Sequence, residues 1–434
     1  MRQRGSLARW RMTALEDTQL EDRPNATRPY RTMLVVICVL ALVIRLGWGL
    51  SRPATDASLE SLPDQAEYLQ IARNILDGRG IVLFDRTFGD TLYAFRMPGY
   101  PMLIAACGGK IVIVRVIQAL LDTSTVLAAF LIGRRLAGSG VGLIGSALVA
   151  IHPYLIFFSA TLLSETLFTA TLVWGMYLLL GSGRPRFVTG ALLLVLSIYV
   201  RPSAILLPAL LAAAAQLVRV IAQSRSPARS FWQLPAGAGV ILLTALCLLP
   251  WGLRNLQRIG TPVFTTTNGG ITLYDGLNPR ADGSSNQGFF RNWPELKSMD
   301  EVQRSRYLGL MAVQYARENP KRAMQLAGLK IARTWSPMPL SAEYGSNRLY
   351  VIAGLGFVAP LFLLAIAGLR SRRINRSAKL YLLLPAIYFT AVHAMTIGSL
   401  RYRIPADVPI AVLAAVGVVR LTERRPSIPA ATAE

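Results

Sequence analysis

The sequence has few of the residues that metal and redox sites most often use. Its 434 residues include three cysteines and two histidines. Cys38, Cys107 and Cys247 lie in apolar surroundings and form no CxxC pair, which indicates small core residues. Because His152 and His393 are the only histidines, a multi-histidine metal site is excluded.

Charged residues are also scarce. They make up 16% of the chain, whereas hydrophobic residues make up 53%. A surface with so little charge is atypical of a soluble protein. Apolar runs long enough to cross a bilayer recur along most of the chain, so the sequence predicts a membrane protein.

Acidic residues are outnumbered two to one, with 46 Lys and Arg against 23 Asp and Glu and a net charge of +23. The arginines fall mainly between apolar runs and do not form one basic stripe. This pattern is typical of proteins that face anionic lipid headgroups, and it argues against a nucleic-acid partner.

The apolar runs predict an all-α polytopic fold with about ten transmembrane helices. The spans lie near 33–50, 115–133, 140–158, 166–181, 187–200, 203–218, 236–251, 350–369, 380–398 and 405–419. Seven arginines precede the first span, which places a tail of residues 1–32 in the cytoplasm. No small-residue cleavage site follows that span, so we expect a retained anchor. The transmembrane domain then covers 33–422, and a second cytoplasmic tail covers 423–434.

Two polar segments, 51–101 and 253–349, are then outer loops. The first contains juxtamembrane helices, and the second is partly helical. In the second, Ser298 and Glu301 match a capping box that opens a helix to about Glu318. Pro320 suits the start of another helix towards Trp335. The stretch 265–288 is rich in Thr, Asn, Gly and Asp, a composition that predicts turns.

A candidate site lies in the first outer loop. Residues 62–80 have the spacing of a short amphipathic helix that begins at Pro63, with Asp64 in its first turn. The helix dipole would keep this carboxylate ionised, as a general base requires. Arg96 and Tyr100 end the same loop and would lie at the membrane interface, where a lipid phosphate would also lie.

Other polar residues are expected on the same outer side, at the ends of separate spans. They are His152, Ser164, Glu165, Arg201, Arg254, Asn255, Arg401 and Arg403. Any one of these arginines alone is typical of an interfacial anchor. Together they predict a cationic pocket for a lipid-linked phosphosugar, whose phosphate the arginines would hold while Asp64 takes a proton from an incoming hydroxyl.

Several fragments occur in a characteristic order over nearly the whole chain. They are D-x-x-x-Y-x-x-x-A-x-x-[IL]-L-x-G at 64–78, RMPGYP at 96–101, HPYLIFFSATLLSE at 152–165, RP at 201–202, WGLRN at 251–255, the stretches 267–270 and 276–279, and RYRIP at 401–405. In these fragments the sequence resembles the GT-C membrane glycosyltransferases, specifically the bacterial branch related to protein O-mannosyltransferases and lipid A aminoarabinose transferases.

The resemblance implies a bacterial enzyme that transfers a sugar from a polyprenyl-phosphate carrier to an envelope acceptor at the outer face of the cytoplasmic membrane. It implies Asp64 as the catalytic acidic residue. The candidate substrate-binding residues are Glu67, Tyr68, Arg96, Tyr100, His152, Glu165, Arg201, Arg254, Arg401 and Arg403. Where several relatives carry a second acid this chain has Gln65, which argues against a paired-carboxylate or metal-dependent mechanism, although Glu67 could compensate.

Three alternatives stay open. A divalent metal could use Asp64, Glu67, His152 or Glu165, but the sequence does not fix their distances, so no cofactor is assigned. A transporter or flippase of a lipid-linked or anionic solute would also carry ionisable residues near its spans. An O-antigen-type ligase would use arginines in a large outer loop without needing an acid in the first.

Overall fold

The protein is almost entirely helical. The structure, a computed structural model, describes residues 28–59, 62–223, 236–288, 293–340 and 347–423. The α-helices are α1 (Arg28–Leu50), α2 (Pro63–Leu76), α3 (Gly99–Ala106), α4 (Ile111–Ala137), α5 (Ser139–Ala150), α6 (Pro153–Ser159), α7 (Glu165–Leu180), α8 (Arg184–Ser197), α9 (Leu207–Gln223), α10 (Ala236–Ile259), α11 (Asn268–Gly276), α12 (Glu301–Glu318), α13 (Pro320–Trp335), α14 (Arg348–Ala353), α15 (Ala359–Leu369), α16 (Arg376–Met395) and α17 (Ile404–Thr422).

Each of the ten predicted spans overlaps a helix. Among the described residues, seven helices are long and apolar enough to cross a membrane, and the bent pair α5 and α6 would make an eighth. Helices α7 and α8 are shorter, at 16 and 14 residues. The chain is therefore a polytopic α-helical membrane protein, as the composition indicates.

The predicted span 140–158 is not one straight helix. The chain bends by 56° between α5 and α6. His152 lies at this break as the N-cap of α6 and accepts a hydrogen bond from the Leu155 amide through Nδ1. The placement of His152 in the outer turn before the fourth span was therefore wrong, because a cap side chain followed by Pro153 starts a new helix inside that segment.

The segment 51–101, the predicted first outer loop, folds much as its sequence indicates. Helix α2 starts with Pro63 in its first turn and ends before Gly78, whose φ of 74° suits glycine. Strands β1 (Leu83–Asp85) and β2 (Asp90–Leu92) then form an antiparallel hairpin with Leu83 opposite Leu92. Both leucines are buried against Ile71 of α2, so the hairpin packs on that helix.

The second outer loop is more helical than predicted. Within 265–288, α11 forms a helix, and its Gly270 lies so close to α12 that a Cβ there would be 1.7 Å from the Ser305 carbonyl oxygen. Local composition could not reveal this contact. The capping box of α12 consists of Asp300 and Gln303 rather than Ser298 and Glu301.

Helix α17 forms the centre of the membrane bundle. Its residues from Ile404 to Gly417 are all buried, and it packs against α15, α5, α16, α7 and α4. The approach to α15 is especially close, because a Cβ on Gly417 would lie 1.9 Å from the Leu364 carbonyl oxygen. Small residues at such contacts allow helix backbones to pack tightly in membranes.

Most of the two predicted tails, 1–32 and 423–434, lies outside the described residues. Their predicted cytoplasmic location therefore stays a prediction.

Replacing Gly417 with alanine should weaken the bundle. The added methyl group would force α15 and α17 apart, and overpacking of this kind costs about 1–3 kcal/mol of the free energy of unfolding. We expect a thermal unfolding temperature lower by several degrees in detergent. Gly47→Ala is the matched control, because a Cβ on Gly47 meets nothing within 4 Å. Equal unfolding temperatures for the two variants would contradict the close packing.

Candidate active site

Asp64 lies between two arginines that come from distant parts of the chain. Its Oδ1 accepts a hydrogen bond from Arg96 at 2.5 Å, and its Oδ2 accepts one from Arg401 at 2.6 Å. About a quarter of the Asp64 side chain is exposed. The carboxylate is thus held firmly at the edge of the bundle while still reachable by a ligand.

The start of α2 is fixed to the bundle by the residue after Asp64. Gln65 is buried, and its Oε1 accepts a hydrogen bond from the Leu162 amide at 2.8 Å. This contact joins the first loop to the turn before α7. Gln65 therefore supports the position of Asp64, and its amide does not act as a second carboxylate.

Glu165 lies behind the first pair, at the start of α7, and is fully buried. Its Oε1 accepts hydrogen bonds from Arg201, at 2.5 Å, and from Nε of Arg401. Arg201 also donates to Ser164 Oγ at 3.1 Å. A buried carboxylate requires such partners, and here they orient the guanidinium of Arg401 towards Asp64.

Glu67 and two tyrosines complete the surroundings of Arg96. Glu67 accepts a hydrogen bond from Arg96 Nε at 2.7 Å. The Tyr68 ring lies 5.5 Å from the Arg96 guanidinium, and the Tyr100 ring meets it edge to face. Tyr100 is fully buried and donates its hydroxyl to Gln118, so it supports Tyr68 and does not reach the membrane interface as predicted.

The surroundings shift the pKa values of Asp64 and Glu67 in opposite directions. Burial by itself would raise the pKa of Asp64, but the charges and hydrogen bonds of Arg96 and Arg401 outweigh it and hold the pKa well below its usual range. For Glu67, burial is the larger effect and raises the pKa despite the charge of Arg96. Asp64 is therefore ionised, and the cause is the pair of arginines rather than the helix dipole.

The two carboxylates and two arginines line a cavity of about 1310 Å³. One wall is apolar and includes Phe157, Phe158 and Leu349. Another wall comes from the second outer loop and carries hydroxyl and amide groups. These polar residues are Asn268, Thr272, Ser284, Ser285 and Gln287. Cavities of this kind accept ligands that are partly apolar and partly hydrogen-bonding.

Seven of the ten predicted substrate-binding residues do not line this cavity. Tyr68, Tyr100, Glu165 and Arg201 contact or support the residues that do, whereas the other three have different contacts. His152 is fully buried, with its Nε2 3.4 Å from Asp407 inside the bundle. Arg254 donates to the carbonyls of Ile81 and Tyr93 and so holds the first loop. Arg403 is also fully buried.

Arg403 joins the second outer loop to the start of α17. Its guanidinium donates to the carbonyls of Thr334 and Ser336, and its Nε donates to Asp407 at 3.3 Å. It therefore fixes the segment that carries Arg401, and it does not line the cavity itself.

The sequence did not single out two further cations of the cavity, Arg52 and Arg333. Arg52 follows the first span and lies 3.6 Å from the centre of the Trp48 ring, whereas Arg333 lies in the last turn of α13. Their signal in the sequence was weak, because each resembles an ordinary interfacial or helix-end arginine.

Asp64 and Glu67 are bridged by Arg96, and His152 lies elsewhere. Within the described ranges, no three His, Cys, Asp or Glu side chains are grouped as metal ligands.

No protein-family model matches the sequence, and a comparison with curated proteins finds no match. Solved structures do match. An Archaeoglobus fulgidus oligosaccharyltransferase, AglB, in complex with an inhibitory peptide and a dolichol-phosphate, is 14% identical with a TM-score of 0.52. Its apo form is 15% identical with a TM-score of 0.53. ArnT from Cupriavidus metallidurans, bound to undecaprenyl phosphate, is 14% identical with a TM-score of 0.41.

The two oligosaccharyltransferase structures each align with 90% of this chain, which spans half of their length. ArnT aligns with 91% of this chain over 78% of its own. At these identities the similarity concerns the fold alone: the chain shares the GT-C fold of the aligned half of the oligosaccharyltransferase.

Proposed function

We propose that this protein is an inverting glycosyltransferase that moves a sugar from a polyprenyl-phosphate carrier to an envelope acceptor. The observation that carries the proposal is an ionised Asp64 held between Arg96 and Arg401 in the wall of a large cavity. The GT-C fold supports the same proposed function. The distribution of arginines between the apolar helices favours a site on the outer face of a bacterial cytoplasmic membrane, with both termini inside.

In the proposed reaction the two arginines hold the carrier phosphate. The acceptor hydroxyl attacks the anomeric carbon while Asp64 takes its proton. The bond between that carbon and the phosphate oxygen breaks, and the carrier phosphate leaves with its charge stabilised by Arg96 and Arg401. Because attack occurs opposite the leaving phosphate, the anomeric configuration inverts.

Carrier binding would also activate the base. With both arginines in contact, Asp64 is a weak base, since its pKa is well below the usual range. A phosphate that takes over hydrogen bonds from these guanidiniums would remove part of that stabilisation. The basicity of Asp64 would then rise only when a donor is in place, which limits proton abstraction in the free enzyme.

The two walls of the cavity suit the two parts of such a donor. Phe157, Phe158 and Leu349 would contact the prenyl chain, and the hydroxyl and amide groups at 268–287 would bind sugar hydroxyls. The acceptor, a glycolipid, polysaccharide or protein, would enter from the side of the second outer loop.

The first test is Asp64→Asn. This variant keeps the size of the side chain but removes the base, so we expect kcat to fall by roughly 10²–10⁴. Carrier affinity should stay equal or increase, since Asn competes less with phosphate for the arginines. Purified protein is mixed with radiolabelled hexose or pentose polyprenyl phosphates and with native membrane vesicles as the source of acceptor, and transfer of the label is measured. Binding of polyprenyl phosphate is measured in a separate assay.

Asp56→Asn is the control, because Asp56 lies in the same loop but is exposed and pairs with Arg73 outside the cavity. Full turnover of Asp64→Asn would reject the base and favour a ligase-type mechanism. Movement of a lipid-linked solute across proteoliposomes without any acceptor would favour a transporter instead.

The second test is the pH dependence. Because the pKa of Asp64 is lowered, the active ionised form persists as pH falls. In a plot of kcat/KM against pH, the loss of activity on the acid side, the acid limb, should therefore occur below the ordinary Asp pKa of about 3.9. The limb in kcat, which reports the enzyme with donor bound, should lie at higher pH. Glu67→Gln is measured in parallel, because the raised pKa of Glu67 could add a limb of its own. Coincident acid limbs in kcat and kcat/KM would argue against activation by the carrier.

The third test concerns Glu165 as a positioning residue. Glu165→Gln leaves Arg201 and Arg401 without their shared charge, and loss of one partner of a buried ion pair costs about 3 kcal/mol of stability. With Arg401 less well oriented, KM for the donor should rise more than kcat falls. Glu295→Gln is the control, since Glu295 is exposed. An unchanged KM together with an unchanged unfolding temperature would reject the role.

A further inference from the structure

A second cavity lies at the other end of the bundle. It measures about 930 Å³ and is formed where α7 and α9 end and where α8 and α10 begin. Leu163, just before α7, lines the first cavity, and Leu180, at the end of α7, lines the second. The 16 residues of this helix therefore separate the two cavities by roughly 22 Å along its axis. The second cavity is therefore distinct from the candidate active site.

Among the residues that the structure describes, three arginines line this cavity and no carboxylate does. They are Arg135 at the end of α4, Arg184 at the start of α8 and Arg219 in α9. Arg135 and Arg219 belong to different helices, and the cavity brings them to the same lining. Among the described residues no acidic side chain forms an ion pair with any of the three. This contrasts with Arg96 and Arg401 of the active-site cavity, each of which contacts a carboxylate.

The guanidinium of Arg219 is only partly satisfied. It donates to the Gly181 carbonyl and lies over the Phe187 ring, with 4.9 Å between the guanidinium carbon and the ring centre. Its Nε is buried and has no hydrogen-bond partner. An unpaired buried donor is costly, so an acceptor arriving in the cavity would be favoured.

The start of α8 adds to the positive potential. Its N-cap is Gly183, which offers no side chain to the free amides, and its first turn contains no acidic residue. Amide groups and a helix dipole at such an end favour an anion. Here they act beside Arg184, in the same cavity.

The remaining wall is apolar and reaches the side of the bundle. Phe187, Val188, Val220 and Leu243 line it, and about half of Val188 is exposed. A ligand with a phosphate group and an acyl chain could place the phosphate among the arginines and the chain along this wall. Basic pockets between transmembrane helices bind lipid headgroups in this way.

We propose that this cavity is a phosphate-binding site for the headgroup of an anionic membrane lipid. The proposal does not depend on the proposed transferase activity. The same arginines could also bind free inorganic phosphate, so the experiment contains an arm for each source. It measures binding, and its result is independent of turnover.

The purified full-length chain is titrated in detergent with dioleoylphosphatidylglycerol, with dioleoylphosphatidylcholine and with inorganic phosphate, and thermal unfolding reports binding. We expect a saturable rise in the unfolding temperature with phosphatidylglycerol and little with phosphatidylcholine. Arg135→Gln and Arg184→Gln should each weaken phosphatidylglycerol binding roughly fivefold. Arg372→Gln, an exposed loop arginine outside the cavity, is the matched control and should change binding less than twofold.

Val188→Trp provides a variant that keeps every charge. A larger side chain in the apolar wall should block the lipid while leaving phosphate binding intact. Saturable binding of inorganic phosphate, lost in the arginine variants, would support the phosphate site and identify a free anion as the ligand. Equal affinity of the cavity variants and Arg372→Gln for phosphatidylglycerol, or saturation by neither ligand, would overturn the proposal.

Discussion

The candidate site depends on one chain of ion pairs that runs from Asp64 through Arg401 to Glu165 and Arg201. These residues come from the first outer loop, the start of α7, the segment before α9 and the segment before α17. Since Glu165 is fully buried, the bundle tolerates its charge only while both arginines remain in contact with it. The packing of these four segments therefore fixes the position of the partly exposed Asp64 carboxylate.

The segment 253–349, the predicted second outer loop, helps to hold this chain of ion pairs in place. Arg403 ties the start of α17 to the end of α13, and Lys330 of α13 donates to the Met395 carbonyl at 3.1 Å. Burial lowers the pKa of Lys330 to about 8, yet this amine still secures the segment that leads to Arg401. Glu301 of α12 accepts hydrogen bonds from the amides of Tyr93 and Ala94, just before Arg96. Both arginines that flank Asp64 are therefore held by the same outer loop.

The sequence was informative where a local signal decides the structure. Pro63 and Gly78 mark the two ends of α2. Local signals failed where a distant contact decides. Gly270 lies in a helix because α12 packs against it, although its neighbours resemble a turn.

The same limit applies to the site residues. The sequence predicted Asp64, Arg96, Glu165, Arg201 and Arg401 on one side of the bundle, and in the structure ion pairs join their side chains. It could not reveal the direction of a side chain. His152 and Arg403 point into the bundle and Arg254 points to loop carbonyls. A polar side chain at the end of a span can point into the site or into the bundle, and only the packing of the whole structure determines which.

The balance of charge gives the two cavities different selectivity. Around Asp64, the three arginines Arg96, Arg201 and Arg401 face three carboxylates, Asp64, Glu67 and Glu165, so their charges nearly cancel. A phosphate that binds Arg96 or Arg401 must displace a carboxylate from that arginine, and only a ligand with further contacts along the cavity can compensate for that loss. The second cavity has arginines without carboxylates and demands no such exchange. On the proposed functions, the first site therefore selects one donor from among abundant membrane phosphates, whereas the second accepts any anionic headgroup that fits.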